Sequence, residues 1–319
     1  MTVAYPIVGI DISSTALDCA ILDANGKFEA SSTNNDKASA RKLARNFAKR
    51  GVALVVVEST GGYENIVMAA LAAEGIAFAR VNPRQVRSFA KGLGKLAKTD
   101  IIDARVLATF GERARPRITT LPTAEEARLK ALSLRRRQLV EMRVAEKNHR
   151  GKVVEKDLKA SIERIIDTLG AEIEQIEDLI ATLITASETM RERQDLLESI
   201  PCIAATTSAT IIAELPELGQ RSTSVLKALV GVAPFNADSG AHRGERHIQG
   251  GRAALRQALY MAAQTGYRCN PILKNFYQRL REKGKAHKQA IVACIGKLIS
   301  IMNAIIKTET AFKNNVTTA

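Results

Sequence analysis

The sequence lacks several features that define common protein classes. It contains no Trp, and aromatic residues make up 4% of its 319 positions, which leaves few side chains for stacking nucleic-acid bases. Its cysteines form no C-x-x-C pair, which excludes a disulfide framework and the usual zinc spacings; they are Cys19, Cys202, Cys269 and Cys294. No apolar run approaches the roughly 20 residues of a membrane span. We therefore expect a soluble, cytoplasmic protein with reduced thiols.

Basic residues are in clear excess. The chain carries 47 Lys and Arg against 33 Asp and Glu, for a net charge of +14 and a pI near 9.8. Most of the excess lies in residues 196–319, which hold 16 basic and 7 acidic residues. A second basic stretch at 128–164 holds 12 basic and 5 acidic residues. This distribution indicates a polyanionic partner. Solvated helix faces are the ordinary alternative for any single run of charge.

The hydrophobic pattern divides the chain into three predicted parts. Residues 1–122 read as three hairpin-connected strands followed by alternating helices and strands, which is typical of an α/β domain with a mixed sheet. Residues 123–193 repeat Ile and Leu at spacings of three and four without proline, which predicts a helical arm with a coiled-coil or hairpin seam. This arm either mediates self-association or packs on its own chain. Residues 194–319 are predicted to be mostly helical, with a Gly-rich loop.

Four acidic residues form a candidate metal site in the first part. Asp11 and Glu58 occur in the first and fourth predicted strands, and Asp100 and Asp103 lie three residues apart on a predicted helix, hence on one face. Carboxylates that share one place require a cation, and hard ions such as Mg²⁺ prefer oxygen ligands. Taken singly, each acid has an ordinary structural alternative; for Glu58 this is a pairing with Arg80.

A Gly-rich basic segment at 231–263 is the second candidate site. Ser239 lies in its loop beside Gly240, where a turn is the ordinary interpretation. Guanidinium groups match the geometry of phosphate, and the glycines let the backbone approach it closely. The candidate phosphate-binding side chains of this segment are Arg243, Arg246, Arg252 and Arg256.

Both segments resemble one protein family. The strings GIDIS, VVVEST and KTDIIDA are similar to the Asp-Glu-Asp-Asp signature of DEDD insertion-sequence transposases and Piv-like DNA invertases, and GVAPFNADSGAHRGERHIQGGRAALRQALYMAA resembles their second domain. The resemblance implies a RuvC-like RNase H fold in residues 1–122 and a serine transposase domain in 194–319. It also implies Mg²⁺ or Mn²⁺ as cofactor, held by the four carboxylates.

The resemblance further implies a mechanism and partners. Ser239 would attack a DNA phosphodiester and become joined to a 5′ phosphate. A structured bridge RNA would pair with donor and target DNA, leaving the protein to hold the phosphate backbone. A homo-oligomer, either a dimer or a tetramer, is implied as well. The basic part of the arm would contribute nucleic-acid contacts through Arg135, Arg136 and Arg137.

The sequence departs from the family pattern at one turn. Relatives have an Ile-Pro-Gly-x-Gly turn before the serine motif, whereas Cys202 and Ala204 replace both glycines here. Those glycines let backbone amides reach phosphate, so a packing role is at least as well supported as a DNA contact for the hairpin at 196–215.

Two other functions are compatible with the sequence. A RuvC-like nuclease would hydrolyse nucleic acid with water at the four carboxylates, and Ser239 would then be only a turn residue. A non-catalytic nucleic-acid-binding protein would need neither the carboxylates nor the serine. A covalent protein–DNA adduct distinguishes the first function from these two.

Overall fold

A computed structural model describes residues 4–94, 100–235 and 247–313 of the chain. Ser239, Arg243 and Arg246 therefore lie outside the described residues, and nothing is described of the side chain of Asp100. The chain divides into two compact units, Met1–Leu121 and Pro122–Ala319.

The first unit is a mixed five-stranded sheet with helices on its faces. Its strand order is β3-β2-β1-β4-β5, with β1 antiparallel to β2 and parallel to β4. This confirms the predicted mixed sheet. The elements are β1 (Ile7–Ile12), β2 (Ala16–Leu22), β3 (Phe28–Asn34), α1 (Lys37–Lys49), β4 (Leu54–Glu58), α2 (Asn65–Ala73), β5 (Phe78–Val81), α3 (Pro83–Gly92) and α4 (Asp100–Ala114).

The two faces of this sheet belong to different cores. Because side chains alternate along a strand, Val8 and Ile10 point to the face that buries Phe47 of α1 and Leu71 of α2. Val56 of β4 points to the opposite face, where its core includes side chains of α3 and α4. Central strands covered on both faces explain the continuous apolar runs in the sequence.

Helix α4 packs directly on β1 at Gly9. A Cβ atom at Gly9 would lie 2.1 Å from the carbonyl oxygen of Ala104 and 2.4 Å from the amide nitrogen of Ala108. Later in the helix, a Cβ atom at Gly111 would lie 3.0 Å from the side chain of Ile7. The helix therefore runs antiparallel to β1. Its first turn lies at the carboxyl end of the strand.

The second unit is predominantly helical. Helices α5 and α6 pack on each other as a hairpin with a small core of Leu139, Leu169 and Ile173. The seam of the arm is thus used within its own chain. The elements are α5 (Ala124–Arg150), α6 (Lys156–Ala186), α7 (Glu188–Glu198), α8 (Ala205–Glu214), α9 (Thr223–Val230), β6 (Pro234–Phe235), β7 (His247–Ile248), α10 (Ala253–Cys269), α11 (Pro271–Glu282) and α12 (His287–Thr308).

Helix α12 is the central helix of this unit. Among the residues that the structure describes, it is the one helix long and apolar enough to cross a membrane by length and composition, and 50% of that window is buried inside the protein. Ile291, Ile295 and Leu298 are fully buried in the main core of the unit. Its apolar character is that of a core helix.

We predict that Gly9→Ala destabilises the first unit. The added methyl group meets backbone atoms of α4 that cannot rotate away, so overpacking should cost about 3 kcal/mol or more of unfolding free energy. Gly92→Ala is the control, because a Cβ atom there meets nothing within 4 Å. Its helical position should make it neutral or slightly stabilising. Urea unfolding measures both; equal stability of the two variants would contradict this packing.

Candidate active site

Asp11 and Glu58 lie side by side at one edge of the sheet. Ile10 is in register with Val57 across the parallel pair β1 and β4, so the next residue on each strand is level with its neighbour. Alternation along the strands puts both carboxylates on the face that α4 covers, since Gly9 is two residues before Asp11. Adjacent strands are about 4.8 Å apart, and both side chains are partly buried.

The first turn of α4 brings the other two acids to the same edge. Asp103 directly precedes Ala104, the residue against Gly9, and is partly buried. Asp100 begins the helix one turn earlier. In the described part of the chain, no three or more His, Cys, Asp or Glu side chains are grouped closely enough to hold a metal ion. Asp11, Glu58 and Asp103 nevertheless share one face of the sheet, and their binding of Mg²⁺ stays a prediction.

Asp18 is a fifth acid on this face, and it was missed in the sequence. The antiparallel register of β1 and β2 places it directly opposite Asp11, where facing residues have Cβ atoms about 5 Å apart. Asp18 is partly buried. Counting outward from a four-residue connection at 13–16 gives this pairing, because Ile12 lies opposite Leu17. Asp18 therefore adds negative charge beside Asp11.

The turn after Glu58 is fixed by a buried glutamate. Glu64 Oε2 accepts hydrogen bonds from the amides of Thr60 (3.2 Å) and Gly62 (2.8 Å), and its side chain pairs with Arg80 at 3.6 Å. Burial alone would raise the pKa of Glu64, but these hydrogen bonds together outweigh it and lower the pKa. Arg80 thus pairs with Glu64. The ionised Glu64 holds the strand end that carries Glu58.

The two ends of the serine segment are joined by a short strand pair that the sequence did not predict. Phe235 of β6 pairs with His247 of β7. Behind them, a Cβ atom at Gly231 would lie 2.2 Å from the carbonyl oxygen of Gly250, and both glycines have positive φ angles, +80° and +71°. This contact explains two of the glycines by backbone packing. His247, one of two histidines flanking the serine motif, is exposed.

Two of the predicted phosphate-binding arginines have partners within the protein. Arg252 forms a forked pair with Glu217 at 2.6 and 2.7 Å and donates to the carbonyl oxygen of Glu214 at 2.5 Å. Arg256 donates to the carbonyl oxygens of Gly250 (2.5 Å) and Val230 (3.2 Å). Both side chains hold the base of the serine segment. Phosphate binding by either would compete with these bonds, and it stays a prediction.

The arginines of the arm differ in their surroundings. Arg136 is tied to Glu177 of α6 at 2.6 Å, and Arg137 lies 3.8 Å from Glu141. Arg135 is exposed. The first of these pairs joins the two helices of the hairpin, so Arg136 has a structural role. Nucleic-acid binding by the three residues stays a prediction.

Three cysteines are buried or partly buried and protonated at neutral pH. Burial raises the pKa of Cys19 and Cys202 to about 12 and that of Cys294 to about 11. None of these three can supply a thiolate nucleophile. Cys202 has a φ of +96°, the conformation that favours the glycine of relatives. A methyl group on Gly266 would lie 2.9 Å from its sulfur, so Cys202 packs on α10.

Comparison with known proteins gives two family matches in chain order. The DEDD transposase model of the IS110 elements, described as "Transposase", matches residues 8–156, and the model of the "Transposase IS116/IS110/IS902 family" matches residues 194–278. The pilin gene-inverting proteins of Moraxella lacunata and Moraxella bovis are 26% identical over 97% of this chain and 98% of their own length. An uncharacterized 43.6 kDa protein of insertion element IS110 from Streptomyces coelicolor is 26% identical over 38% of this chain and 30% of its own.

Solved structures similar to the first part of the chain are RuvC structures. A Thermus thermophilus RuvC structure covers 37% of this chain and 100% of its own, with 14% identity and a TM-score of 0.28. The same enzyme in complex with a Holliday junction substrate covers 35% and 96%, with 15% identity and a TM-score of 0.26.

The two matches, the acidic edge and the serine segment define a transposase or DNA recombinase. Together the models cover residues 8–156 and 194–278, in the order that the sequence motifs predicted. The chain belongs to the IS110-type family of DEDD insertion-sequence transposases. This confirms the family resemblance seen in the sequence, and it makes the protein an enzyme that acts on DNA.

We predict that Asp18→Asn stabilises the protein without a divalent ion and reduces the further stabilisation that the ion provides. Without the ion, removing like-charge repulsion against Asp11 should raise the melting temperature, by an amount that corresponds to roughly 0.5 kcal/mol. With Mg²⁺ or Mn²⁺, the ion-induced rise in melting temperature should be smaller than in the wild type. Glu174→Gln, which removes an exposed acid of α6, is the control. An unchanged ion-induced rise in Asp18→Asn would contradict a role beside Asp11.

Proposed function

We propose that this protein is an insertion-sequence transposase that cuts and rejoins DNA through a covalent bond between Ser239 and a 5′ phosphate, with Mg²⁺ or Mn²⁺ as cofactor. The observation that carries the metal-dependent part is the placement of Asp11, Glu58 and the first turn of α4 at one edge of the sheet. The serine step rests on the resemblance of the segment around Ser239.

The carboxylates fit a divalent cofactor. Asp11, Glu58, Asp100 and Asp103 offer only oxygen donors, which suits a hard cation that keeps water for its remaining positions. When bound, the ion would polarise the scissile phosphate and stabilise the departing 3′ oxygen. The protein contributes the fixed strand ends: Glu64 holds the turn after Glu58, and Gly9 lets α4 approach β1 closely enough to bring Asp103 to the same edge.

The serine step conserves the phosphodiester bond energy. The Ser239 hydroxyl oxygen attacks phosphorus, the bond from phosphorus to the 3′ oxygen breaks, and the 3′ oxygen takes up a proton as the serine proton leaves. Attack of a 3′ hydroxyl from another strand on the phosphoserine reverses these changes and rejoins DNA without ATP. A serine hydroxyl needs a base or a cation for this attack. The candidate bases are the exposed His247 and, five residues before it, His242.

Sequence choice would come from a bridge RNA rather than from the protein. The low aromatic content of 4% leaves few side chains for base stacking, whereas the positive charge suits backbone contacts with paired strands. The remaining partners in this proposal are donor DNA, target DNA and further copies of this chain. Arg135, exposed on α5, and Arg243 and Arg246 of the serine segment are proposed to contact phosphate.

The test is a covalent adduct assay. Wild-type protein is incubated with Mg²⁺, the RNA transcribed from the noncoding DNA beside its gene, and a labelled duplex that carries the end of the element. We predict an adduct that survives denaturation and is lost in Ser239→Ala. Ser224→Ala, at an exposed serine of α9, should retain it. Asp11→Asn and Asp103→Asn should lose the adduct but bind DNA within about threefold of the wild type.

Two outcomes would replace this function. If Ser239→Ala cleaves the duplex without any adduct, the protein is a metal-dependent nuclease that uses water, and the serine is a turn residue. If the wild type forms no adduct and both aspartate variants behave like it in every assay, the protein is a non-catalytic DNA-binding member of the family.

A further inference from the structure

A run of positive charge that belongs to neither candidate segment of the sequence lies at the junction of α10, α11 and α12. Residues 268–288 contain seven Lys and Arg and a single acid, Glu282. All seven basic side chains are exposed. Six of them define what we call the basic face: Arg268, Lys274, Arg281, Lys283, Lys285 and Lys288.

The charge of the basic face is not neutralised within the described part of the protein. None of its six side chains takes part in an ion pair with a described acid, whereas Arg136 and Arg252 of the same unit are each paired at 2.6 Å or less. Charges that are already paired contribute little to binding a polyanion, because the new contact replaces an old one. The basic face is therefore a positive surface of the second unit whose charge stays available to a polyanion.

Aromatic contacts hold the three helices of the basic face together. Tyr267 of α10 stacks on Tyr277 of α11 with ring centroids 4.5 Å apart, and the Tyr277 hydroxyl lies 2.7 Å from His287 Nδ1 at the start of α12. The guanidinium of Arg268 lies 5.3 Å from the centre of the Tyr267 ring. Arg281 donates to the carbonyl oxygen of Lys285 at 2.6 Å, which closes the turn between α11 and α12.

Two of the three basic side chains on α11 lie on one stripe of the helix, and Arg279 lies on another side. Lys274, Gln278 and Arg281 are spaced i, i+4 and i+7, so they lie along one side, beside Tyr277. The first and last are about 10 Å apart along the axis at 1.5 Å per residue. This span corresponds to about three steps of 3.4 Å along the axis of a DNA duplex. The turn to α12 and the first residues of that helix carry further exposed lysines.

We propose that the basic face binds the sugar-phosphate backbone of duplex DNA. The proposal rests on the proposed function, for which DNA is the substrate. A duplex is favoured over a single strand because the aromatic rings are already occupied: Tyr267 has Tyr277 and the Arg268 guanidinium within stacking distance. Sites for single strands need aromatic faces that are open to the bases. A site for a duplex backbone needs only positive side chains that are spaced to meet the phosphates.

The test measures the salt dependence of DNA binding. The full-length protein is titrated against a labelled 30-base-pair duplex of arbitrary sequence by fluorescence anisotropy between about 50 and 200 mM salt. Each lysine that contacts phosphate contributes about 0.9 to the slope of log K against log salt. We expect the slope to fall by 2 to 4, and affinity near 100 mM salt to fall at least tenfold, in the variant Lys274→Gln, Lys283→Gln, Lys285→Gln and Lys288→Gln.

A control variant removes the same charge from the first unit. Its four exposed residues lie on α1 and none forms an ion pair with a described residue. The control is Lys37→Gln, Arg41→Gln, Lys42→Gln and Lys49→Gln. We expect its slope to stay within about 1 of the wild type. Circular dichroism and melting temperatures check that both variants fold.

Each outcome separates this inference from the proposed function. Equal losses in the two variants, or an unchanged slope in the basic-face variant, would overturn the inference. A matched duplex RNA probe extends the test: loss of RNA binding with unchanged DNA binding would assign the surface to RNA and also overturn it. If the basic-face variant loses DNA binding but the wild type forms no serine adduct, the inference stands and the proposed chemistry fails. Wild-type protein that binds no duplex DNA contradicts both.

Discussion

The close contact between Gly9 and α4 is the constraint on which the acidic edge depends. Because Gly9 has no side chain, the helix lies directly on the strand. A Cβ atom at this position would be only 2.1 and 2.4 Å from backbone atoms of α4. That contact sets the distance of α4 from the sheet and the position of the helix along β1. The first turn of the helix, with Asp103, is thereby fixed at the strand ends that carry Asp11 and Glu58. The absence of a side chain at Gly9 thus lets β1, β4 and α4 bring their acidic residues to one edge of the sheet.

Positive charge is divided between internal and external uses in the second unit. Arg136, Arg252 and Arg256 hold helices and the base of the serine segment through bonds to carboxylates and carbonyl oxygens. The net charge therefore overstates the surface available to phosphate. Exposed lysines around α11 that form no ion pair with a described acid are part of the surface that stays available to phosphate. The basic side chains that stabilise the fold are thus different from those that we propose to bind DNA.

Much of the fold could be predicted from the sequence, but the finer parts of the site could not. The strand carrying Glu58 was visible because a strand buried on both faces is a continuous β-branched run. Asp18 was missed because its place opposite Asp11 depends on strand register, which composition does not encode. Arg252 was expected on phosphate because a sequence shows a guanidinium's donors but not its partner; here that partner, Glu217, is 35 residues away.

The central claim is that the edge formed by β1, β4 and α4 binds the catalytic ion, and a manganese soak tests it most directly. Crystals of the wild-type protein grown with Mn²⁺ are measured at an energy where manganese scatters anomalously. The account predicts an anomalous peak within coordination distance of Asp11, Glu58 and Asp103 that is absent in Asp11→Asn. A map with no peak at this edge, or with manganese bound only elsewhere on the chain, would contradict it.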